Sequence, residues 1–243
     1  MKMQMNFWGK SVLVTGATEA IGRACAAAFL AHGARVAING PDEASVAATI
    51  AALGGGDGLV AAAGDLSTRE GCASVVGGAV DALGHLDVLV NAAQAGEDRP
   101  FESVTPENWA ETIDGSFRAA LLCTQQAAPH LKAVKGNVVN VTSIPGVMGG
   151  VAGTSTRASA AGSIVNLTRM SALRLGVDGL RVNCLCAGEL ADSPRSADAV
   201  PPTVGRFGDP DDMAGTVLFL ASRYAGFMTG SIVVNDGGVS AGN

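Results

Sequence analysis

Short runs of Val, Leu and Ile, apolar at nearly every position, recur along this chain, and longer Ala-rich segments separate them. A strand with one wet face alternates apolar and polar residues. An unbroken apolar strand must be covered on both faces, which is the environment of a parallel sheet held between helices. The runs are Ser11–Thr15, Arg35–Asn39, Leu59–Ala63, Leu86–Asn91, Asn137–Thr142, Leu180–Cys186 and Ser231–Val234. The segments between them predict helices over 20–32, 42–53, 67–83, 106–132, 154–177 and 209–222. Strand and helix in alternation specify an α/β fold with a doubly wound, seven-stranded parallel sheet flanked by helices. No repeat, low-complexity tract or linker interrupts the pattern and Gly54–Gly58 reads as a loop, so residues 1–243 are expected to form a single domain.

Composition narrows the function classes. The net charge is −6 with no run of Lys or Arg, so a surface that tracks nucleic-acid phosphates is not expected. Met1 to Lys10 holds no apolar core of signal-peptide length, and no stretch reaches the roughly 20 apolar residues of a membrane span. The expectation is a cytoplasmic protein without membrane partners. Cys25, Cys72, Cys123, Cys184 and Cys186 lie inside apolar patterns and read as core thiols. Cys184 and Cys186 share one face of a strand, but no second Cys/His pair accompanies them. His32, His85 and His130 lack ligand spacing, and no metal site is expected.

The first strand runs directly into Thr15-Gly16-Ala17-Thr18-Glu19-Ala20-Ile21-Gly22, and an Ala-rich helix follows. A strand–turn–helix with glycines at the turn points backbone N–H groups and a helix N-terminus at a pyrophosphate. Gly64-Asp65-Leu66 ends the third strand and Leu89-Val90-Asn91-Ala92-Ala93 the fourth. Both are carboxyl ends of parallel strands, where such sheets bind ligands.

This order of motifs, with Val139-Asn140-Val141-Thr142-Ser143 after the fifth strand, Arg181-Val182-Asn183 and a late Asn235-Asp236-Gly237-Gly238, resembles the short-chain dehydrogenase/reductase family over nearly the whole chain. The resemblance implies a Rossmann-like fold that takes NAD(H) or NADP(H). It also implies an Asn, a Ser, a Tyr and, four residues after the Tyr, a Lys in the active site. Ser143 matches the serine. The Asn position falls on Ser116, the Tyr position on Thr156 and the Lys position on Ala160. Aligning from Leu167-Thr168-Arg169 moves the last two to Arg157 and Ala161, which supplies neither group. Tyr224 is the only tyrosine, with Met228 four positions on, and Lys2, Lys10, Lys132 and Lys135 are the only lysines. Thr is too weak an acid to replace a tuned phenol, and Arg stays charged.

The positions that would hold the cofactor are Gly16, Ile21, Gly22, Asp65, Leu66, Asn91 and Gly188, and the set reads as vestigial. Ala20 stands for the turn's second glycine, and Glu19 beside it sets a carboxylate toward phosphate. Gln94, Ala187 and Asp192 replace the family's Gly, Pro and Thr. The acid that would hold a ribose 2′-OH is Gly40, with Asp42 a partial substitute and no Arg nearby for a 2′-phosphate. Weak or lost nucleotide binding is expected. Each remnant also has a structural reading: Gly16 and Gly22 for the turn and helix–sheet contact, Asp65 as a helix cap, Asn91 as a bridge between strand ends, Ser143 as a strand-end hydrogen bonder. Trp109 and Phe117 read as core or interface, and Tyr224 as a surface residue. Only seventeen residues separate Gly188 from Arg206, and Asp192–Arg195 with Val200–Pro202 reads as a tight bypass rather than a substrate lid.

The resemblance further implies a tetramer built through the two long helices at 106–132 and 154–177 and through the last helix and strand, segments that keep their length and apolar pattern. The leading expectation is a catalytically silent subunit that supports a competent relative in a hetero-oligomeric NAD(P)-dependent dehydrogenase, the hydroxyacyl-CoA type among them. The alternatives are an active oxidoreductase whose proton donor is His130, Asp114 or Arg118, and a non-enzymatic nucleotide or ligand sensor.

Overall fold

A computed structural model describes residues 5–97, 99–149, 154–193 and 200–242. Seven strands, β1 (Ser11–Thr15), β2 (Arg35–Ile38), β3 (Leu59–Ala61), β4 (Val88–Asn91), β5 (Asn137–Ser143), β6 (Arg181–Ala187) and β7 (Ile232–Asn235), form one sheet in the order β3-β2-β1-β4-β5-β6-β7. Every neighbouring pair is parallel. The expected doubly wound sheet is therefore present, with strand ends shifted by one or two residues from the sequence reading.

Seven helices connect the strands: α1 (Ala20–Ala31), α2 (Glu43–Ala52), α3 (Arg69–Leu83), α4 (Pro106–Thr112), α5 (Ala119–Val134), α6 (Ser155–Gly176) and α7 (Pro210–Ala221). One core packs α1, α2 and α7 on one face of the sheet through Phe29, Val46, Met213 and Leu220. On the other face α3 and α5 bury Val75, Leu83, Cys123 and Leu131, and α6 buries Ile164 and Val165. Burial on both sides is why the strands read as continuous apolar runs. All five cysteines are buried and free, and burial pushes the Cys25 thiol up to about 12. Among the described residues no group of three His, Cys, Asp or Glu is placed to hold a metal, and no helix is long and apolar enough to cross a membrane.

The segment expected as one helix over 106–132 is instead broken by a π-helical turn, Ile113–Arg118. The loop after β4 presses on this turn: a Cβ on Gly115 would strike the Ala95 methyl, and the Ala95 N–H donates to Ser116 Oγ at 2.9 Å. A single π turn inside an otherwise α-helical segment is the common form of a π-bulge. Trp109 is half exposed on α4, whereas Phe117 packs against Ile144, Ile164 and Val165. Tyr224 is half buried, with the Arg223 guanidinium 5.1 Å from its ring centre.

The described part of the connection from β6 to α7 is tied down at its end. Leu190 bridges to Gly208, and Arg206 grips both carboxylate oxygens of Asp212. Pro194 and Arg195 of the expected bypass lie outside the described residues. The Arg206 pair, then the Asp209 N–H, holds the Asp212 carboxyl down to about 2. Its folded pKa lies below the ordinary 3.8, so the stabilisation is complete above pH 4 and is lost as the pH falls through 2. Solvent screening limits the effect to about 1 kcal/mol. Asp212→Asn is expected to remove that much stability at pH 5 and almost none at pH 2, read as urea midpoints. Equal losses at both values would refute the assignment.

Candidate functional site

The chain leaves β1 and β4 toward opposite faces of the sheet, which opens a crevice at their carboxyl ends. The turn from β1 to α1 passes close under the end of β4. Gly16 has φ +60°, and a Cβ there would lie 2.6 Å from Ala93 Cα. A Cβ on Gly22 would strike the Gly16 carbonyl oxygen and stand 2.8 Å from its carbon. Both glycines are demanded by backbone packing, with or without a ligand. Glu19 is the N-cap of α1 but its side chain makes no capping bond, and Glu19 and Ala20 are exposed beside Ile21. The first-turn N–H groups are thus not closed off by that side chain, the geometry that receives a phosphate. An exposed carboxylate and a methyl group share the same rim.

A residue not singled out in the sequence organises this end. Asn39, buried after β2, accepts from the Gly16 N–H at 3.2 Å and donates to the carbonyls of Ala62 at 2.9 Å and Gly64 at 3.2 Å. One side chain therefore ties the loops after β1, β2 and β3 together. The only sequence signal is a polar residue closing an otherwise apolar run.

The acidic residues at this end make local bonds. Asp42 caps α2, accepting from the Ser45 N–H at 2.8 Å, and this bond lowers its pKa. Asp65 accepts from the Ser67 hydroxyl at 2.7 Å and the Ser67 N–H at 2.8 Å, which hold its pKa down. The cap of α3 is Thr68, so the reading of Asp65 as a helix cap is corrected. Leu66 is buried in the core. A side chain at Gly40 would meet the Thr18 methyl, which would have to rotate aside to admit one. Arg23, one turn inside α1, donates to the Thr18 carbonyl at 3.3 Å.

Toward the middle of the crevice Asn91 donates to Asn140 at 2.9 Å and Thr124 at 3.0 Å, and Asn140 donates to Thr168 at 2.9 Å. This buried chain of amides and hydroxyls links β4, β5, α5 and α6. Asn91 thus bridges strand ends, as one of its two readings held. Gly188 lies against the backbone of Asp236, 2.6 Å from where its Cβ would be.

The profile of a family described as enoyl-(acyl carrier protein) reductase matches residues 16–240. This chain belongs to the short-chain dehydrogenase/reductase family. Members of that family generally use NAD(P)(H). The chain is 32% identical to the (2S)-[(R)-hydroxy(phenyl)methyl]succinyl-CoA dehydrogenase subunit BbsD of Thauera aromatica, over 97% of this chain and 98% of that one. It is 34% identical to an L-rhamnose 1-dehydrogenase (NAD(P)(+)) of Azotobacter vinelandii, over 95% and 96%. A crystal structure of a dehydrogenase/reductase from Sinorhizobium meliloti 1021 superposes with a TM-score of 0.90 at 29% identity, covering 97% of each chain.

At the positions that match the family's active-site motif, Ser143 ends β5 and pairs in register with Ala187 of β6. Thr156 and Ala160 are 2% and 3% exposed, one turn apart on the buried face of α6, while Arg157 is exposed. The structure thus puts Thr156 and Ala160, not Arg157, on the inner face of that helix. Gly146, just after Ser143, packs against the backbone of Ala161, where a Cβ would come within 2.8 Å. Ser116 sits in the π turn with its hydroxyl engaged by Ala95.

Of the alternative proton donors, Asp114 and Arg118 share the π turn with Ser116, and His130 does not. His130 is exposed near the end of α5, which returns the chain to the amino edge of the sheet. Asp114 and Arg118 form an ion pair of 2.9 Å with each other. One group the sequence reading passed over is Glu189. It follows Gly188, two residues beyond the register partner of Ser143, and its Oε2 is buried with no hydrogen-bond partner among the described residues.

Proposed function

We propose that this chain is the non-catalytic subunit of a hetero-oligomeric NAD(P)-dependent dehydrogenase, paired with a relative that carries the Tyr and Lys. The observation that carries the reading is the buried pair Thr156 and Ala160, where the family's proton donor and its lysine partner would stand. Neither side chain can titrate near neutrality or hold a ribose by charge. The relative from Thauera aromatica is named as a dehydrogenase subunit acting on a succinyl-CoA compound, which supports both a multi-subunit assembly and an acyl-CoA-type substrate for the partner.

The nucleotide is held weakly in this reading. Ala20 and Glu19 crowd the phosphate turn, Asp42 is committed to its cap, and the Lys position is Ala160. Assembly runs through the helices α4–α5 and α6 and through β7 into a tetramer. Exposed apolar side chains support this choice of surface: Trp109 on α4, Met170, Leu173 and Val177 along α6, and Val234 on β7.

The test is a calorimetric titration of the purified chain with NAD(H) and NADP(H), repeated on the complex recovered after co-expression with a Tyr/Lys-bearing relative. The expected result is no saturable nucleotide binding below the millimolar range by the chain alone and a stable mixed tetramer with the partner. A stable homo-oligomer that binds nucleotide tightly and turns over would overturn the proposal. A second reading, an active oxidoreductase with another proton donor, draws on Glu189, whose buried carboxyl oxygen stands near the Ser143 end of the cleft.

A further inference from the structure

Helix α6 is packed into the protein on one side only. Its inner face, from Thr156 and Ala160 through Ile164, Thr168 and Ala172, is buried. On the opposite side, spacings of three and four set one stripe along the helix. It begins with Ser155, Ser159 and Gly162, passes through Asn166, and ends with Met170, Leu173 and Val177. None of these is buried, and Leu173 and Val177 are 81% and 79% exposed. A helix face left to water ordinarily carries charged side chains. This stripe carries none, because Arg157, Arg169 and Arg174 lie off it and α6 has no acid.

Gly162 is the informative position. Glycine weakens a helix interior, and a Cβ there would meet only the Gly146 carbonyl oxygen at 3.8 Å, an ordinary contact. Unlike Gly22, it is not demanded by packing among the described residues, and it leaves a notch on the outer face. The stripe is also graded, small in its first half and bulky and apolar in its second. Its positions are symmetric about Asn166, with gaps of four, three and four residues on either side. A second α6 laid antiparallel on the first, about a two-fold axis at Asn166, sets Gly162 against Met170, Ser159 against Leu173 and Ser155 against Val177. Each bulky side chain then meets a position that leaves it room. A parallel neighbour would set large against large and small against small.

We propose that α6 pairs antiparallel with the α6 of a second copy of this chain, on a two-fold axis at Asn166. The small half of each helix covers Met170, Leu173 and Val177 of the other and withdraws that apolar area from water. The same operation sets Arg169 beside Ser163 rather than beside another cation. The mixed tetramer then holds like against like at α6 and meets the catalytic relative along β7, where Val234 is exposed. The contact with the relative rests on the non-catalytic-subunit reading above, whereas the pairing at α6 does not.

Single cysteines in the full chain read this geometry directly, since the five native thiols are buried and leave little background. Asn166→Cys, exposed and on the axis, is expected to be joined to its own copy by a short bismaleimide nearly completely. Leu173→Cys and Ser159→Cys are each expected to give no such product alone, because the two copies of either position stand about 21 Å apart along the helix axes. Mixed together, those two variants are expected to cross-link. Gly162→Leu, which fills the notch, is expected to weaken the pair at least about tenfold in sedimentation, with its circular dichroism unchanged. The Asn166→Cys product is also expected from the complex recovered with a Tyr/Lys-bearing relative. No cross-link at Asn166, or one at Leu173 alone, would overturn the proposal. A mixed complex without the Asn166 product would overturn the pairing and leave the subunit reading standing. The product from the chain alone, with no relative bound, would support the pairing and count against the subunit reading.

Discussion

Gly22→Ala is expected to destabilise the protein by about 3 kcal/mol, even though the same substitution inside a helix is ordinarily favourable. The helix-propensity gain is at most about 1 kcal/mol. Against it stands a collision of the new methyl with the carbonyl of Gly16, a backbone group that cannot rotate aside. Gly78, in the exposed interior of α3, provides the control, because nothing lies within 4 Å of its added Cβ. Gly78→Ala is expected to stabilise by about 1 kcal/mol. Opposite signs in urea unfolding of the two variants are the expected result. A neutral Gly22→Ala would show that the turn between β1 and α1 has room to relax, and the structural account of the glycine motif would be lost with it.

The second large effect concerns turnover. Loss of a general acid costs on the order of 10²–10⁴ in rate, and the roles of Tyr and Lys belong to one unit whose losses do not simply add. The isolated chain is therefore expected to reduce carbonyl substrates at least about 10²-fold more slowly than a Tyr/Lys-bearing relative. On the proposed reading, in which a partner carries the chemistry, Ser143→Ala and Glu189→Gln in this chain are expected to leave the rate of the mixed oligomer within about twofold. A fall of about 10² or more in either variant would place the reaction in this chain. Glu189 would then be the first group to examine for a shifted pH profile.

The two predictions differ in how far each could be anticipated. That position 156 carries no phenol was readable from composition, since the one tyrosine of the chain stands at 224. The role of Gly22 was readable only as an alternative between binding and packing, because the contact that decides it joins the first turn of a helix to the preceding loop in three dimensions. The acidic remnants were less legible still. Asp42 and Asp65 each bond to a serine two or three residues away, and a local turn of that kind leaves no pattern distinct from a ligand-binding acid. The long helix was expected whole since the pressure that opens its π turn comes from Ala95, some twenty residues earlier in the chain.

From the sequence alone came the parallel doubly wound sheet, its seven strands and the family, because hydrophobic periodicity and glycine placement are local properties that tertiary packing only ratifies. Only the folded chain showed which side chains are already engaged: the Asn39 clamp across three loops and the Asn91–Asn140–Thr168 chain. Each of these joins residues far apart in the chain, and the strength of a hydrogen bond or charge depends on distance and burial, which no order of letters states.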